Sequence, residues 1–159
     1  YEIMPSLVGS EMCIRDSVMV SLAEAHYTNK GIKAEKKLSV NIVTENILAA
    51  ADRSGCVSGS KEDKSELFDY ELDDTGVPMI KNSPVTMVCS VEDIYKTKGF
   101  ESFICTIDKT YADESALTPE GKIDYRSLKP VLFEMPTYEY LITGDVIGKC
   151  MSMGKAGGR

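Results

Sequence analysis

The chain has one histidine, His26, and no Cys-x-x-Cys pair. Zinc sites in proteins are usually built from closely spaced cysteine and histidine ligands, so a familiar zinc site is excluded and no metal ligands are assigned. The number of cysteines is odd, which argues against a disulfide framework. We expect free thiols, buried or half-buried, in a reducing cytoplasm. The five cysteines are Cys13, Cys56, Cys89, Cys105 and Cys150.

Positive charge is also scarce, because 18 Lys and Arg residues face 25 Asp and Glu residues and leave a net charge of −7. A nucleic acid or an anionic membrane would require clustered basic side chains, so neither partner is expected. No apolar run approaches the length that spans a bilayer, and no stretch resembles a signal peptide. The 159 residues therefore suggest one soluble, cytoplasmic domain with a real core.

The first 17 residues differ in character from the rest. The run from Leu7 to Ser17 closely resembles a peptide produced when sequencing-adaptor DNA is translated in frame with a truncated gene. Residues 1–17 show neither sustained alternation nor a capped helical stripe. We expect them to be an artefact whose deletion leaves stability unchanged, and we expect residues 18–155 to be a domain that has lost its beginning.

The first half of the remaining chain predicts two strands and two helices. Val18–Leu22 and Leu38–Val43 have strand character, the second because apolar and polar residues alternate. Thr28 is the expected cap of a helix that ends before Leu38. Thr44 is the expected cap of the second helix, and Gly55 is its expected stop. A short helical stretch could then bury Leu67 and Phe68.

The second half predicts mainly strands. Asp73 to Pro84 contains Gly76 and two prolines, so irregular or edge structure is expected there. The segments 85–95 and 100–111 should pair as a hairpin around Lys98-Gly99. Val131–Phe133 and Tyr138–Ile142 are the last apolar runs. Strands outnumber helices and do not alternate with them throughout, which favours a mainly β fold, a small barrel with attached helices, over a doubly wound sheet.

Several short motifs occur in an order that resembles the flavin reductase and flavoredoxin-like family. After the first strand they are His26-Tyr27-Thr28, Leu38–Ile42, Val57-Ser58-Gly59 and Asp63-Lys64, and the tail has Lys129-Pro130, Tyr138 to Lys149 and Gly154-Lys155. The resemblance covers roughly Val18 to Lys155. It implies a split β-barrel, here incomplete at its N-terminus, and usually a homodimer that holds FMN noncovalently near the subunit interface.

The resemblance also implies cofactor-binding residues. His26, Tyr27 and Thr28 would contact the phosphate end of FMN, since a helix start supplies free amides and a favourable dipole. Alternatively His26 is a surface or capping histidine, while Thr28 can cap the helix in either case. Family members often carry a basic residue just before this motif, and Leu22 to Ala25 has none.

Four further residues are assigned to the same cofactor. Ser58 and Gly59 would present backbone amides, Lys64 would add positive charge, and Asp63 would orient that lysine. The alternative for this segment is an ordinary solvated loop. Asn41 lies inside an apolar strand and would hydrogen-bond the edge of the flavin ring, or simply face water.

The function implied is an NAD(P)H-dependent, FMN-containing flavin reductase-like oxidoreductase that passes electrons to a small-molecule or protein acceptor. No catalytic residue is assigned, because the flavin carries the hydride chemistry. Gly144-x-x-x-Gly148-Lys149 is one residue short of a Walker A loop, so nucleotide hydrolysis is not expected. One alternative is a flavoredoxin-like electron carrier with a protein partner. Another is a non-functional fragment that binds FMN poorly because its opening strands are lost.

Overall fold

The structure is a computed structural model, and it describes residues 2–4, 16–150 and 152–154. The strands are β1 (Glu2–Met4), β2 (Ser17–Ala23), β3 (Lys37–Asn41), β4 (Tyr70–Leu72), β5 (Pro78–Ile80), β6 (Val85–Thr97), β7 (Phe100–Ala112), β8 (Val131–Glu134) and β9 (Glu139–Ile142). The helices are α1 (Thr28–Glu35), α2 (Glu45–Cys56) and α3 (Tyr125–Leu128), with 3₁₀ turns at Ser65–Leu67 and Glu114–Ala116. The mainly β class with attached helices is confirmed.

The long hairpin of β6 and β7 is the centre of the main sheet. Thr97 pairs with Phe100, so the expected turn at Lys98-Gly99 is confirmed. Gly99 has φ +87°, a conformation that favours glycine and suits a two-residue turn between twisted strands. On the outer side of β7 lie β1 and β2, and β3 lies on the outer side of β6. Two register shifts in the β6–β7 ladder add to the curl of the sheet.

Helix α1 connects the two edge strands β2 and β3 and covers the inner face of the curled sheet. Its Ile32 packs with Cys89, Phe103 and Cys105, which are fully buried. Half-buried apolar side chains from both edge strands, such as Leu22 and Leu38, complete this core. The start of α1 is therefore held against the end of β2.

Two smaller hairpins flank the sheet. In the β4–β5 hairpin Val77 and Met79 pack on Val88 of β6. The β8–β9 hairpin follows α3, and the hydroxyl of Tyr140 donates to Asp52 of α2 over 2.7 Å. The β4–β5 hairpin thus lies near α1, and the β8–β9 hairpin contacts α2.

The cap assignments need correction. Thr28 is the first residue of α1 and not its cap; the N-cap is Tyr27, which already has helical φ and ψ of −61° and −33°. The reason is a turn that begins earlier, with the His26 amide bonded to Ala23 O and the Asn29 amide to His26 O. Thr44 does occupy the N-cap of α2, but its hydroxyl contacts the side chain of Asn46 and makes no bond to a backbone amide.

Gly55 does not stop α2, which ends one residue later at Cys56, with extended Val57 as its C-cap. A left-handed glycine is not needed here because the Lys64 ammonium binds the carbonyl oxygens of Ser54 and Val57. A side chain therefore satisfies carbonyl groups that a glycine cap would otherwise serve.

The artefact assigned to residues 1–17 stays a prediction. Glu2–Met4 pair with the far end of β7, and residues 5–15 lie outside the described residues.

The cysteines agree with the prediction in part. Cys89 and Cys105 are buried free thiols, as expected, whereas Cys56 and Cys150 are exposed. Cys13 lies outside the described residues. No helix in the described part of the chain is long and apolar enough to cross a bilayer.

Candidate functional site

A small pocket of about 290 Å³ lies between the start of α1 and the end of α2. It brings together six of the eight predicted cofactor-binding residues, which are His26, Tyr27, Thr28, Ser58, Gly59 and Lys64. The other lining residues are Ala25, Ser54, Gly55, Cys56 and Val57. Two segments that are 30 residues apart in the sequence therefore form one site, which is called the polar pocket below.

Backbone amides are the main donors available in the polar pocket. Within the described residues, four backbone N–H groups of this pocket donate to no protein acceptor. They belong to Tyr27, Thr28, Ser58 and Gly59. The first two belong to the N-terminus of α1, where the helix dipole adds positive potential. Unpaired amides at a helix start, joined by those of a glycine-containing loop, are a typical binding arrangement for phosphate.

Lys64 places a positive charge at the wall of this pocket. Its Nζ donates to the carbonyl oxygens of Ser54 at 2.7 Å and Val57 at 3.2 Å. An ammonium group has three donors, so one remains for a ligand. The lysine is half-buried, and these two bonds fix the position of its charge.

Gly59 allows the ring of Tyr27 to lie directly against the loop. A Cβ atom at this position would be 3.1 Å from Cδ1 of Tyr27 and 3.6 Å from Cε of Lys64. The Lys30 ammonium lies over the same ring, 5.4 Å from its centroid. A side chain at position 59 would therefore require the tyrosine ring to shift, whereas the distance to Lys64 is an ordinary contact.

Asp63 does not line the polar pocket. Its Oδ1 accepts a hydrogen bond of 2.9 Å from the Ser65 amide, at the start of the 3₁₀ turn. Hydrogen bonds from Ser65 hold the pKa of this exposed carboxyl below its usual range. Lys64 is oriented by Ser54 and Val57, so the orienting role assigned to Asp63 is taken by these carbonyl groups. Participation of Asp63 in cofactor binding stays a prediction.

A larger cleft of about 720 Å³ adjoins the polar pocket, and Tyr27 and Thr28 line both. The cleft lies between the edge strands β2 and β3, under α1, with the β4–β5 turn as its far wall. Its other lining residues are mainly apolar, and they are Val20, Leu22, Gly31, Ile32, Glu35, Lys37, Leu38, Ser39, Val40, Asn41, Thr75, Gly76, Val77 and Pro78. This space is called the apolar cleft below.

Asn41 lies in the wall of the apolar cleft, separate from the polar pocket. Its Oδ1 accepts from the Ile80 amide at 3.0 Å and from Thr86 Oγ1 at 2.9 Å, and its Nδ2 donates to Ser39 Oγ at 2.9 Å. The side chain therefore ties β3 to β5 and β6. One hydrogen of Nδ2 remains for a ligand, and the contact with a flavin ring stays a prediction.

Sequence reasoning missed a buried ionic cluster beside the site. Glu101 of β7 is 1% exposed, and its carboxylate accepts from Lys33 Nζ at 2.9 and 3.0 Å and from Asn29 Nδ2 at 2.9 Å. Lys96 adds an ion pair of 3.2 Å. The hydrogen bonds from Lys33 and Asn29 lower the pKa of Glu101 to about 2. Two signals were in the sequence, since Glu101 is in phase with buried Phe103 and Cys105, and Asn29 and Lys33 are one helical turn apart.

The site offers binding groups and not an obvious set of reactive ones. Within the described ranges no three His, Cys, Asp or Glu side chains come together as metal ligands would. What the arrangement can do is hold an anionic group in the polar pocket next to an apolar group in the cleft.

The family model described as "Flavin reductase like domain" matches residues 12–138. Flavoredoxin from Methanosarcina acetivorans has a similar structure, with a TM-score of 0.84, 31% identity and coverage of 88% of this chain and 75% of that one. Flavoredoxin of Desulfovibrio vulgaris (Miyazaki F) gives a TM-score of 0.80 and 27% identity, with coverage of 87% and 76%.

A putative flavin reductase with a split barrel domain from Shewanella frigidimarina shares the fold, with a TM-score of 0.72, 20% identity and coverage of 84% and 69%. No protein with a curated description matches the sequence. The family model covers most of the chain, and the fold is that of the split-barrel proteins. The chain therefore belongs to the flavin reductase like domain family.

Proposed function

We propose that this protein is an FMN-dependent flavin reductase-like oxidoreductase that passes electrons from NAD(P)H through bound FMN to a small-molecule or protein acceptor. The observation that carries the proposal is the polar pocket, where unpaired amides and Lys64 converge beside the apolar cleft. A cytoplasmic location belongs to the same proposal and is supported by the free cysteines of the described residues.

The residues present fit FMN in two ways. A phosphate requires several donors and positive potential, and the amides of Tyr27, Thr28, Ser58 and Gly59 with Lys64 supply both. A planar apolar ring requires an apolar surface, and the cleft offers Val20, Leu22, Leu38 and Val40 on two edge strands. Because Tyr27 and Thr28 line both spaces, one elongated ligand can occupy both.

The bound flavin would supply the hydride and electron-transfer chemistry, while the chain supplies binding and orientation. Lys64 and the α1 amides would hold the phosphate, and Gly59 keeps the Tyr27 ring close to the loop. Asn41 would offer its remaining Nδ2 hydrogen at the wall of the apolar cleft. The half-buried walls of the cleft would exclude water from one side of the ring.

A second candidate function is a flavoredoxin-like carrier that keeps its FMN and exchanges electrons with a partner protein. It is favoured by the two flavoredoxin structures, which share 31% and 27% identity with this chain. The two candidates use the same site and differ in whether NAD(P)H reduces the flavin directly.

The test is steady-state oxidation of NADH and of NADPH by the purified full-length protein, with and without added free flavin. Sustained turnover supports the reductase. A tightly held flavin that neither nucleotide reduces, but that a protein donor does, supports the carrier. Absence of binding to FMN, FAD and riboflavin at micromolar concentrations would contradict both.

A further inference from the structure

We propose that Glu101 is a positioning residue that, through Asn29, fixes the turn of α1 whose amides receive the flavin phosphate. The inference rests on the proposed function, because it assigns a role at the same polar pocket. It concerns a side chain that lies outside the pocket and outside every motif recognised in the sequence.

The first step is that Glu101 and Asn29 hold each other in one geometry. Asn29 and Glu101 are each 1% exposed, and their side chains share a bond of 2.9 Å. An ionised carboxylate only accepts hydrogen bonds, so it forces the amide of Asn29 to point its Nδ2 at Glu101. The Oδ1 atom of Asn29 is left buried without a partner. A flipped amide would direct that oxygen at the carboxylate, which the negative charge prevents.

The second step is that this geometry spans the turn that carries the site. The Nδ2 group of Asn29 also donates to the carbonyl oxygen of Ala23 at 3.3 Å, at the last residue of β2. The His26 amide bonds Ala23 O as well, and the Asn29 amide bonds His26 O. Ala23 and Asn29 therefore clamp both ends of a short segment, residues 25–28, that lines the polar pocket.

The third step is that the clamp is anchored to the sheet and stays charged. Glu101 is on β7, paired with Leu22 of β2, and both Lys33 and Lys96 form ion pairs with its Oε1 atom. The carboxylate does not line the polar pocket or the apolar cleft, so it is not placed to touch the ligand. Its action on the site passes through Asn29, which makes it a positioning residue and not a catalytic one.

The experiment compares two ligands that differ only in the phosphate, FMN and riboflavin, in the full-length protein. In Glu101→Gln the side chain keeps its size but loses its charge. Its new NH₂ group can face Nδ2 of Asn29, and two donors cannot form a hydrogen bond with each other. We expect the affinity for FMN to fall about tenfold, within the usual range of coupling between neighbouring sites. The affinity for riboflavin should not change. Glu120→Gln, the same substitution at an exposed carboxylate that lines neither the polar pocket nor the apolar cleft, is the matched control, with both affinities unchanged.

Asn29→Ala is a second variant, and it tests the positioning role if Glu101→Gln does not fold. It should show the same loss, confined to FMN. Equal weakening of FMN and riboflavin, or no change in either, would overturn the inference, because a general packing role does not distinguish the two ligands. If the wild-type protein binds FMN no more tightly than riboflavin, the polar pocket does not hold the phosphate, and the observation that carries the proposed function is lost. That result is distinct from failure of Glu101 alone.

Discussion

Thr28 is the residue at which local structure and proposed binding are easiest to separate. Its hydroxyl forms no hydrogen bond within the described residues, and it lines both the polar pocket and the apolar cleft. Thr28→Ala should therefore weaken FMN binding by about 1.5–3 kcal/mol, the value of a hydrogen bond to a charged group. The melting temperature should hardly change. Flavin fluorescence titration and thermal unfolding of the full-length protein measure the two effects.

Thr44→Ala is the control, since Thr44 also lies at the start of a helix, as the N-cap of α2, makes no bond to a backbone amide, and lies outside the polar pocket. It should leave FMN affinity unchanged. Equal affinity for FMN in wild type and Thr28→Ala would remove Thr28 from the site.

Ala25 is the position where a gain of binding is expected. It lines the polar pocket just before the motif, in the stretch that lacks the basic residue common in the family. Ala25→Arg should tighten FMN binding by about 1.5–3 kcal/mol, because a guanidinium can add charge-assisted bonds to phosphate. Isothermal titration with FMN and riboflavin checks this, and Ala25→Leu controls for bulk. A gain that riboflavin shares would mean that phosphate is not the group contacted.

At the scale of elements, the sequence predicted the strands better than the helix ends. The β6–β7 hairpin has a clear alternation and a Lys-Gly turn, both local signals, and it formed as expected. The start of α1 depends on a turn closed from Ala23, and the end of α2 depends on Lys64, eight residues beyond Cys56. Such ends are set by bonds to other segments, and local propensity does not contain them.

The candidate site also has a part that the sequence predicted and a part that it did not. Motif order predicted the six residues that meet in the polar pocket, because the family resemblance already encodes a contact between distant segments. Glu101 was missed, although it is in phase with the buried residues of β7, since a charged residue near a turn is normally solvated. Only the approach of α1, which brings Asn29 and Lys33, explains how this charge can be buried.

The buried Glu101 carboxylate, which joins β7 to α1, predicts a specific pH dependence of the free energy of unfolding. The folded pKa of Glu101 is about 2, below its ordinary value of 4.5. A depressed pKa means that the stabilisation is complete above about pH 4.5 and is lost as the pH falls toward 2. Urea unfolding at pH 6, 4 and 3 should show this loss in wild type and a smaller pH dependence in Glu101→Gln. Glu66→Gln, an exposed residue of the 3₁₀ turn, should behave as wild type. Parallel curves for all three proteins would contradict the assignment.

The β4–β5 turn, which forms the far wall of the apolar cleft, depends on Asp73. Burial acts to raise the pKa of this carboxyl, but hydrogen bonds from Val77 and Thr75 lower it overall. Its Oδ1 accepts from the amides of Val77 at 2.8 Å and Thr75 at 2.9 Å. Asp73→Ala should destabilise the protein by about 1–3 kcal/mol, because these amides lose their partner.

The same change should weaken riboflavin as well as FMN, since Thr75 to Pro78 line the cleft where the ring is proposed to lie. Chemical unfolding and titrations with both ligands check this. Asp74→Ala is the neighbouring control, and within the described residues its exposed carboxylate pairs with Lys109 alone. An unchanged affinity for riboflavin would place the ring elsewhere.

For the whole molecule, we propose a homodimer that buries the outer face of the β8–β9 hairpin. Leu132 and Leu141 pair across the strands and are 53% and 48% exposed, whereas Ile142 lies on the opposite face of the hairpin. An exposed apolar pair of this kind is the surface on which the proposal rests, because a second copy could bury it. Because both leucines lie on one face, a two-fold axis beside them would bring the two hairpins together.

Leu132→Glu combined with Leu141→Glu should convert the dimer to a monomer in sedimentation velocity, because like charges from both protomers would be buried at the interface. Met19→Glu, an equally exposed apolar position on β2, is the control and should leave the dimer intact. A wild-type protein that sediments as a monomer at tens of micromolar would refute the proposal.

Because two of the described thiols are buried, a thiol-reactive dye can be directed to the polar pocket. Burial raises the pKa of Cys89 to about 12, and it raises the pKa of Cys105 as well, so both stay protonated and out of reach of electrophiles. Of the described cysteines only Cys56 and Cys150 are exposed, and Cys56 lines the polar pocket. In a Cys13→Ser, Cys150→Ser background, a maleimide dye should therefore label one position. The rate of that labelling would record occupancy of the pocket without following the colour of any ligand.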